Sequence, residues 1–368
     1  MERKLASVQR VLEIIPIENA DAIELVRING WQCVTKKGEF RVGDLGVFFE
    51  IDAVPPDTDA FRFLWLPKPR AGESVPPDLP TLTRPDKFRI RTLRLRGVLS
   101  QGLFMPLDTF GLKAAGSEAL ASHTSQSGAG QGEVTEGENV TERLSVGKYE
   151  PPVPAGMGDF RGPFPGFLPK TDEMRVQSVP AVLEELFGNP YIITLKYDGT
   201  SSTFCIDPRT GEFHACGRNF SILKGDNLYW RIARKYDLER VLTENPHLAL
   251  QGEIVGPGVQ KNPLGLKELS WYAFNVYDVS RATYLGAAES RRELERLGLP
   301  QVDVIETGEA FAHTQASLLS LAEGKYPGTN NEREGIVIRP QHETRSDVLG
   351  GRLSFKAISN RYLLKETD

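Results

Sequence analysis

Cysteine is scarce in this chain. Cys33, Cys205 and Cys216 are the three present, widely spaced and without a C-x-x-C pair, which argues against a disulfide framework and against a cysteine zinc site. That pattern fits a reducing compartment. Long apolar runs are lacking too: no stretch approaches the roughly 20 residues a membrane-spanning helix needs, and the opening segment MERKLASVQRVLEIIPI has no secretory apolar region followed by a small-residue cleavage site. No membrane association is expected, and the expected location is the cytoplasm or the nucleus. An excess of positive charge is also missing. Lys and Arg total 44 against 49 Asp and Glu, a net charge of -5, so nothing global draws the chain to a polyanion and any basic surface must be local.

What is present is an ordinary globular balance, 40% hydrophobic and 25% charged over 368 residues, enough for two domains of roughly 100 to 200 residues each. Residues 1–110 read mainly as short strands (GWQCVTKKGEF, LGVFFEIDAV, KFRIRTLRLRG, GLFMPL) separated by Gly, Pro and Asp turns, a small β-barrel or sandwich. Within it Lys87, Arg89, Arg91, Arg94 and Arg96 interleave with Phe88, Ile90, Leu93 and Leu95. A bulge between Arg91 and Arg94 would keep all five cations on one side, as a phosphate-tracking strip or as charge protecting an edge strand. Residues 111–148, rich in Gly, Ser, Thr and Glu, are expected to be mostly a mobile insertion of the first domain (1–150). Six prolines between 151 and 169 mark a linker.

From 170 to 368 the pattern is mixed α and β. A short helix is expected at SVPAVLEELFG, a longer one at DNLYWRIARKYDLERVL with Asp226 as N-cap, and two further amphipathic helices near 288–298 and 313–323. Strands lie between them, so the fold class is α+β, rich in antiparallel pairing.

The stretch YIITLKYDGTSSTFCI (191–206) sets one lysine at the end of an apolar strand, just before a glycine expected to make a tight turn. Lys196 is the candidate nucleophile. A lysine amine attacks only when unprotonated, and burial at an apolar strand end would lower a pKa of about 10.4. The alternative is a surface pair of Lys196 and Asp198 on an edge strand. Five later residues carry complementary chemistry: Arg218 (CGRNF) for ribose or phosphate, Glu253 (LALQGEIVG) for ribose, Phe274 (WYAFNVYDV) for stacking on a purine, Glu334 (EGIVIRP) for a divalent cation, and Lys356 (LSFKAIS) for a phosphate. Each alone reads better as core or as a solvated strand residue. Their order and strand context carry the argument.

The series Lys196-Tyr197-Asp198-Gly199, Arg218-Asn219, Glu253, Phe274 to Asp278, Glu334 to Arg339 and Phe355-Lys356 resembles the motifs of the covalent nucleotidyltransferases, that is, DNA ligases, RNA ligases and mRNA-capping enzymes. With KTDEMRVQ ahead of the lysine and FKAISNRYLLK near the end, the whole chain is most similar to ATP-dependent RNA ligases of the Deinococcus radiodurans and Naegleria type. The resemblance implies an N-terminal OB-like β-barrel followed by a nucleotidyltransferase domain of antiparallel sheets and helices. Ten residues follow Ile358, which favours this type over DNA ligases and capping enzymes with their downstream OB domain.

The resemblance further implies catalysis by Lys196 and Lys356; an ATP site formed by Leu195, Asp198, Arg218, Glu253, Phe274, Glu334 and Lys356; and Mg²⁺ or Mn²⁺ held by Glu334 and Glu253. AMP would be carried on Lys196. The partner would be nicked duplex RNA or an RNA/DNA hybrid, gripped by Lys87, Arg89, Arg91, Arg94 and Arg96 of a monomeric protein. Two departures stand out: Ile358 where many relatives have a second lysine, for which Lys365 is a candidate substitute, and Gly217 where a serine often precedes the arginine. DNA-nick sealing, GTP-dependent capping and a catalytically inactive nucleic-acid-binding protein are the alternatives.

Overall fold

The computed structural model describes residues 3–64, 88–116, 132–149 and 158–365. The chain divides into two compact units, Glu2–Pro151 and Pro152–Glu366.

In the first unit five antiparallel strands form one sheet, in the order Trp31–Lys36, Ile23–Ile28, Ala6–Pro16, Leu45–Phe49, Leu103–Pro106. The long strand Ala6–Pro16 serves both neighbours: its first half pairs with Leu45–Phe49 and its second half with Ile23–Ile28, with a register shift between Val11 and Glu13. Such an irregularity bends a strand and increases local twist, which lets a short sheet coil toward a barrel. Val8, Val47, Phe49, Phe61 and Met105 fill its core.

The described parts of the segment expected to be a mobile insertion, residues 111–116 and 132–148, are more structured than their composition suggests. Leu112–Ala114 and Gly132–Val134 pair as parallel strands, and Leu112, Val134, Val140 and Val146 are buried in the same core.

The cationic strip also differs from expectation. Lys87 lies outside the described residues. Only Thr92–Leu95 is strand, paired with Val98–Gln101, and the reversal falls at Arg96 and Gly97, both at positive φ, rather than at a bulge. Arg89 is held at 3.2 Å from Asp52 and lies over the Tyr149 ring at 4.5 Å, while Arg94 and Arg96 are exposed.

The described residues of the second unit hold two large sheets and a two-stranded pair, Arg345–Ser346 with Gly351–Arg352. One has seven strands, in the order Phe160–Pro163, Phe220–Ile222, Phe213–Cys216, Thr200–Ile206, Leu248–Val255, Ser270–Asp278, Thr283–Tyr284. The other has five: Met174–Arg175, Phe355–Ile358, Gly335–Pro340, Tyr191–Lys196, Val304–Gly308. Residues 158–169, expected as linker, are built into this unit: Phe160–Pro163 forms the edge strand and Leu168 is buried. Helices Leu228–Lys235, Leu238–Glu244 and Ala287–Arg296 accompany the larger sheet, and Val182–Leu186 and Gln315–Ala322 the smaller. The expected long helix from 226 is in fact two. Asn227 rather than Asp226 caps it, accepting from the Trp230 amide at 3.1 Å, and Asp237 at φ +52° interrupts it.

Candidate active site

The lysine strand Tyr191–Lys196 belongs to the smaller sheet, and the next strand, Thr200–Ile206, belongs to the larger. Residues 197–199 are therefore the corner at which the chain passes between sheets, with Lys196 on its rim. Every residue from Tyr191 to Leu195 is buried, whereas Lys196 is half-buried. Gly199 is required by close approach rather than by a turn: its φ is not positive, and a Cβ there would lie 2.2 Å from the Ile254 carbonyl oxygen. Gly335 is constrained in the same way, since a Cβ would lie 2.2 Å from the Ala357 carbonyl oxygen. Both glycines let strands bearing charged side chains meet at the corner.

Strand register does the rest. Lys196 is paired with Gly335, which places Glu334 beside it, and the Lys196 Nζ donates to Glu334 Oε2 at 2.7 Å. Across the corner Ser201 is paired with Glu253, bringing that carboxylate from the larger sheet. Asp198 completes the acidic surround. Burial alone pulls the Lys196 ammonium down, but Glu334, Glu253 and Asp198 together outweigh it and hold its pKa above the ordinary value. This reverses the expectation that the apolar strand end would free the amine: the carboxylates were not visible as neighbours in sequence. The Glu253 pKa is raised too, which for a carboxylic acid favours the neutral form. Burial pushes it up, Lys196 opposes, and Glu334 and Asp198 push it further, to about 8.

The phosphate-binding candidates meet through a residue the sequence reading did not single out. Asp172 Oδ2 accepts from Arg218 at 2.7 Å, and Asp172 Oδ1 lies 3.8 Å from Lys356 Nζ. One anion thus stands between two cations from different sheets, as a phosphate could. Lys365 is not near this group; its ammonium lies 3.8 Å from Glu332.

Leu195 is turned into the core at 2% exposure, and its amide donates to the Asp303 carbonyl at 2.8 Å. Phe274 is partly buried against the same cluster of Leu195, Tyr197, Val255, Val302 and Tyr326. Its carbonyl accepts from Arg339, which also bonds Ser354 and Glu173. The arginine strip belongs to the other unit.

The donor set suits a hard divalent cation. Glu334 and Glu253 offer carboxylate oxygens, and their mutual repulsion, registered in the raised Glu253 pKa, is the condition a dication relieves. Among the described residues no three His, Cys, Asp or Glu side chains form a ready-made metal cluster. Two carboxylates with phosphate and water oxygens would match the way Mg²⁺ is usually bound.

Residues 5–107 match an OB-fold domain and residues 189–358 match the RNA ligase family. The structure is similar to that of Naegleria gruberi RNA ligase with pyrophosphate, at 35% identity over 100% of both chains and a TM-score of 0.80. It is similar also to point mutants of that enzyme, one with ATP and Mn (34% identity, 99% of each chain, TM-score 0.81) and one with AMP and Mn (35%, 100% of this chain and 99% of that one, 0.80). A comparison with curated protein sequences returned no match. Identity at this level across the whole length, together with the lysine corner and its acidic surround, establishes that the chain belongs to the RNA ligase family.

Proposed function

We propose that this protein is an ATP-dependent RNA ligase that seals 3′-hydroxyl/5′-phosphate nicks in duplex nucleic acid whose 3′-hydroxyl strand is RNA. The observation that carries the reading is the half-buried Lys196 at the corner between two sheets, with Glu334 at 2.7 Å and Glu253 facing it. Lys196 attacks the α-phosphorus of ATP, a nitrogen–phosphorus bond forms as pyrophosphate leaves, and AMP remains on the lysine. AMP then passes to the 5′-phosphate end. Attack by the 3′-hydroxyl releases AMP and closes the phosphodiester. Arg218 and Lys356 hold phosphate oxygens in place of Asp172, Phe274 lies against the purine, and Glu334 releases the lysine nitrogen it now holds. When bound by Glu334 and Glu253, Mg²⁺ or Mn²⁺ supplies a positive field that favours the free amine and offsets phosphate charge.

Arg91, Arg94 and Arg96 of the first unit are assigned to duplex phosphates, which makes binding salt-dependent. A 2′-hydroxyl or A-form geometry is what would distinguish RNA at the nick. The test is a pair of nicked duplexes differing only in the sugar of the 3′-hydroxyl strand. Sealing of the ribose end well ahead of the deoxyribose end is expected; equal sealing of both would favour a general nick ligase instead.

A further inference from the structure

Tyr326 has no place in the motif series, yet its hydroxyl touches the backbone of the candidate lysine, of Asp198 two residues on, and of its carboxylate partner. The Tyr326 hydroxyl donates to the Lys196 carbonyl at 3.0 Å, accepts from the Asp198 amide at 3.0 Å, and accepts from the Glu334 amide at 3.1 Å. A hydroxyl has one proton to give and two lone pairs to fill, so its full capacity goes to three backbone groups. The ring is 1% exposed and packs with Leu195, Tyr197 and Val255. Burial and the nearby Glu334 raise its pKa, so it stays a neutral donor.

The ring's own position is fixed independently. The Tyr326 amide donates to the Asn331 carbonyl at 3.0 Å, Thr329 returns two bonds to the Tyr326 carbonyl, and Lys325 bridges Glu332, closing a short hairpin. Arg333 then anchors the chain to the last turn of the helix Gln315–Ala322 by bonding the Leu321, Ala322 and Glu323 carbonyls. The Lys196 and Glu334 backbones lie at neighbouring strand ends, where the regular ladder of paired strands stops at Lys196 and Gly335. Beyond that last rung, the described bonds joining the two segments are the Lys196–Glu334 side-chain pair at 2.7 Å and, on the backbone, those made through this one oxygen.

We infer that Tyr326 is a positioning residue whose hydroxyl pins the Lys196–Asp198 segment to Glu334 and so sets the geometry from which the lysine attacks. The inference rests on the proposed adenylylation of Lys196. Two of the three bonds fall on the lysine segment, so the lysine-dependent step is the one most exposed to their loss. Displacement of a reacting group by about 1 Å can cost roughly 10²-fold in rate.

The test compares wild type with Tyr326→Phe, which keeps the ring and removes only the oxygen. Single-turnover formation of the AMP-protein adduct at saturating ATP should fall by about 10- to 100-fold, with ATP affinity changed less than about threefold. Sealing of a duplex whose 5′ end already carries AMP bypasses the lysine and should fall by at least about tenfold less. A purely structural role would lower both steps and the melting temperature together, and that outcome, like an unchanged adduct rate, would overturn the inference. Amide hydrogen exchange in wild type gives a second measure that needs no variant: the Asp198 and Glu334 amides should be protected, and fast exchange at both would also overturn it. If wild type itself forms no adduct, the adenylylation reading fails first; if wild type labels and Tyr326→Phe labels equally fast, only the present inference fails.

Discussion

Glu253 should carry a proton in the metal-free protein near neutral pH, and the stability of the second unit should reveal it. Its pKa rises from 4.5 to about 8 through burial and the nearby Glu334 and Asp198. Between these values the folded state binds a proton that the unfolded state has released, so stability falls as pH rises from about 5 to 8. At about 1.4 kcal/mol per tenfold in proton affinity, the full span is about 5 kcal/mol. Partial solvent access should reduce this to about 2 to 3 kcal/mol. Lys196 itself does not mask the effect. Its pKa is raised, so its own contribution is intact below about 10.4 and is lost only above that range.

The assay is thermal melting of metal-free wild type and Glu253→Gln at pH 5 and pH 8. Wild type should lose about 5 to 10 °C more than the variant over that interval. Addition of Mn²⁺ should abolish the difference and release up to one proton per protein at pH 7, measurable by calorimetry in buffers of different ionisation enthalpy. Identical pH slopes for the two proteins, with no proton release, would refute the account of the acidic surround.

Two further outcomes follow from the geometry. Gly199→Ala should destabilise the second unit by at least about 2 kcal/mol, because the new Cβ meets the Ile254 carbonyl at 2.2 Å and must displace a strand; a melting curve equal to wild type would show that the corner is looser than this. Arg94→Ala with Arg96→Ala should weaken duplex binding and reduce the slope of log affinity against log salt by about 1 to 2, leaving AMP labelling without nucleic acid unchanged; an unchanged salt slope would remove the strip from the interface.

Much of this architecture was legible in the chain. The apolar alternation before Lys196, and the order in which Arg218, Glu253, Phe274, Glu334 and Lys356 follow, were enough to name the α+β fold and the family. What sequence could not supply was the company each residue keeps. Lys196 read as desolvated, but the strand register that sets Glu334 and Glu253 against it gives the opposite sign. Tyr326 sits in KYPGTNN, which reads as an ordinary turn, and Asp172 in a stretch with no periodicity; each acquires its role mainly through contacts with residues more than 40 positions away. The core valines of residues 134–146 were hidden for a different reason. In a small unit, isolated apolar residues in a polar segment can each be buried without producing a recognisable period.

The most direct test is the intact mass of the protein after incubation with ATP and Mg²⁺ or Mn²⁺, alongside Lys196→Ala and with GTP in place of ATP. A gain of one AMP in wild type with ATP, absent from Lys196→Ala and from the GTP sample, is the expected result. No adduct with either nucleotide under either metal, or an AMP adduct that survives Lys196→Ala, would contradict the assignment of Lys196 as the nucleophile.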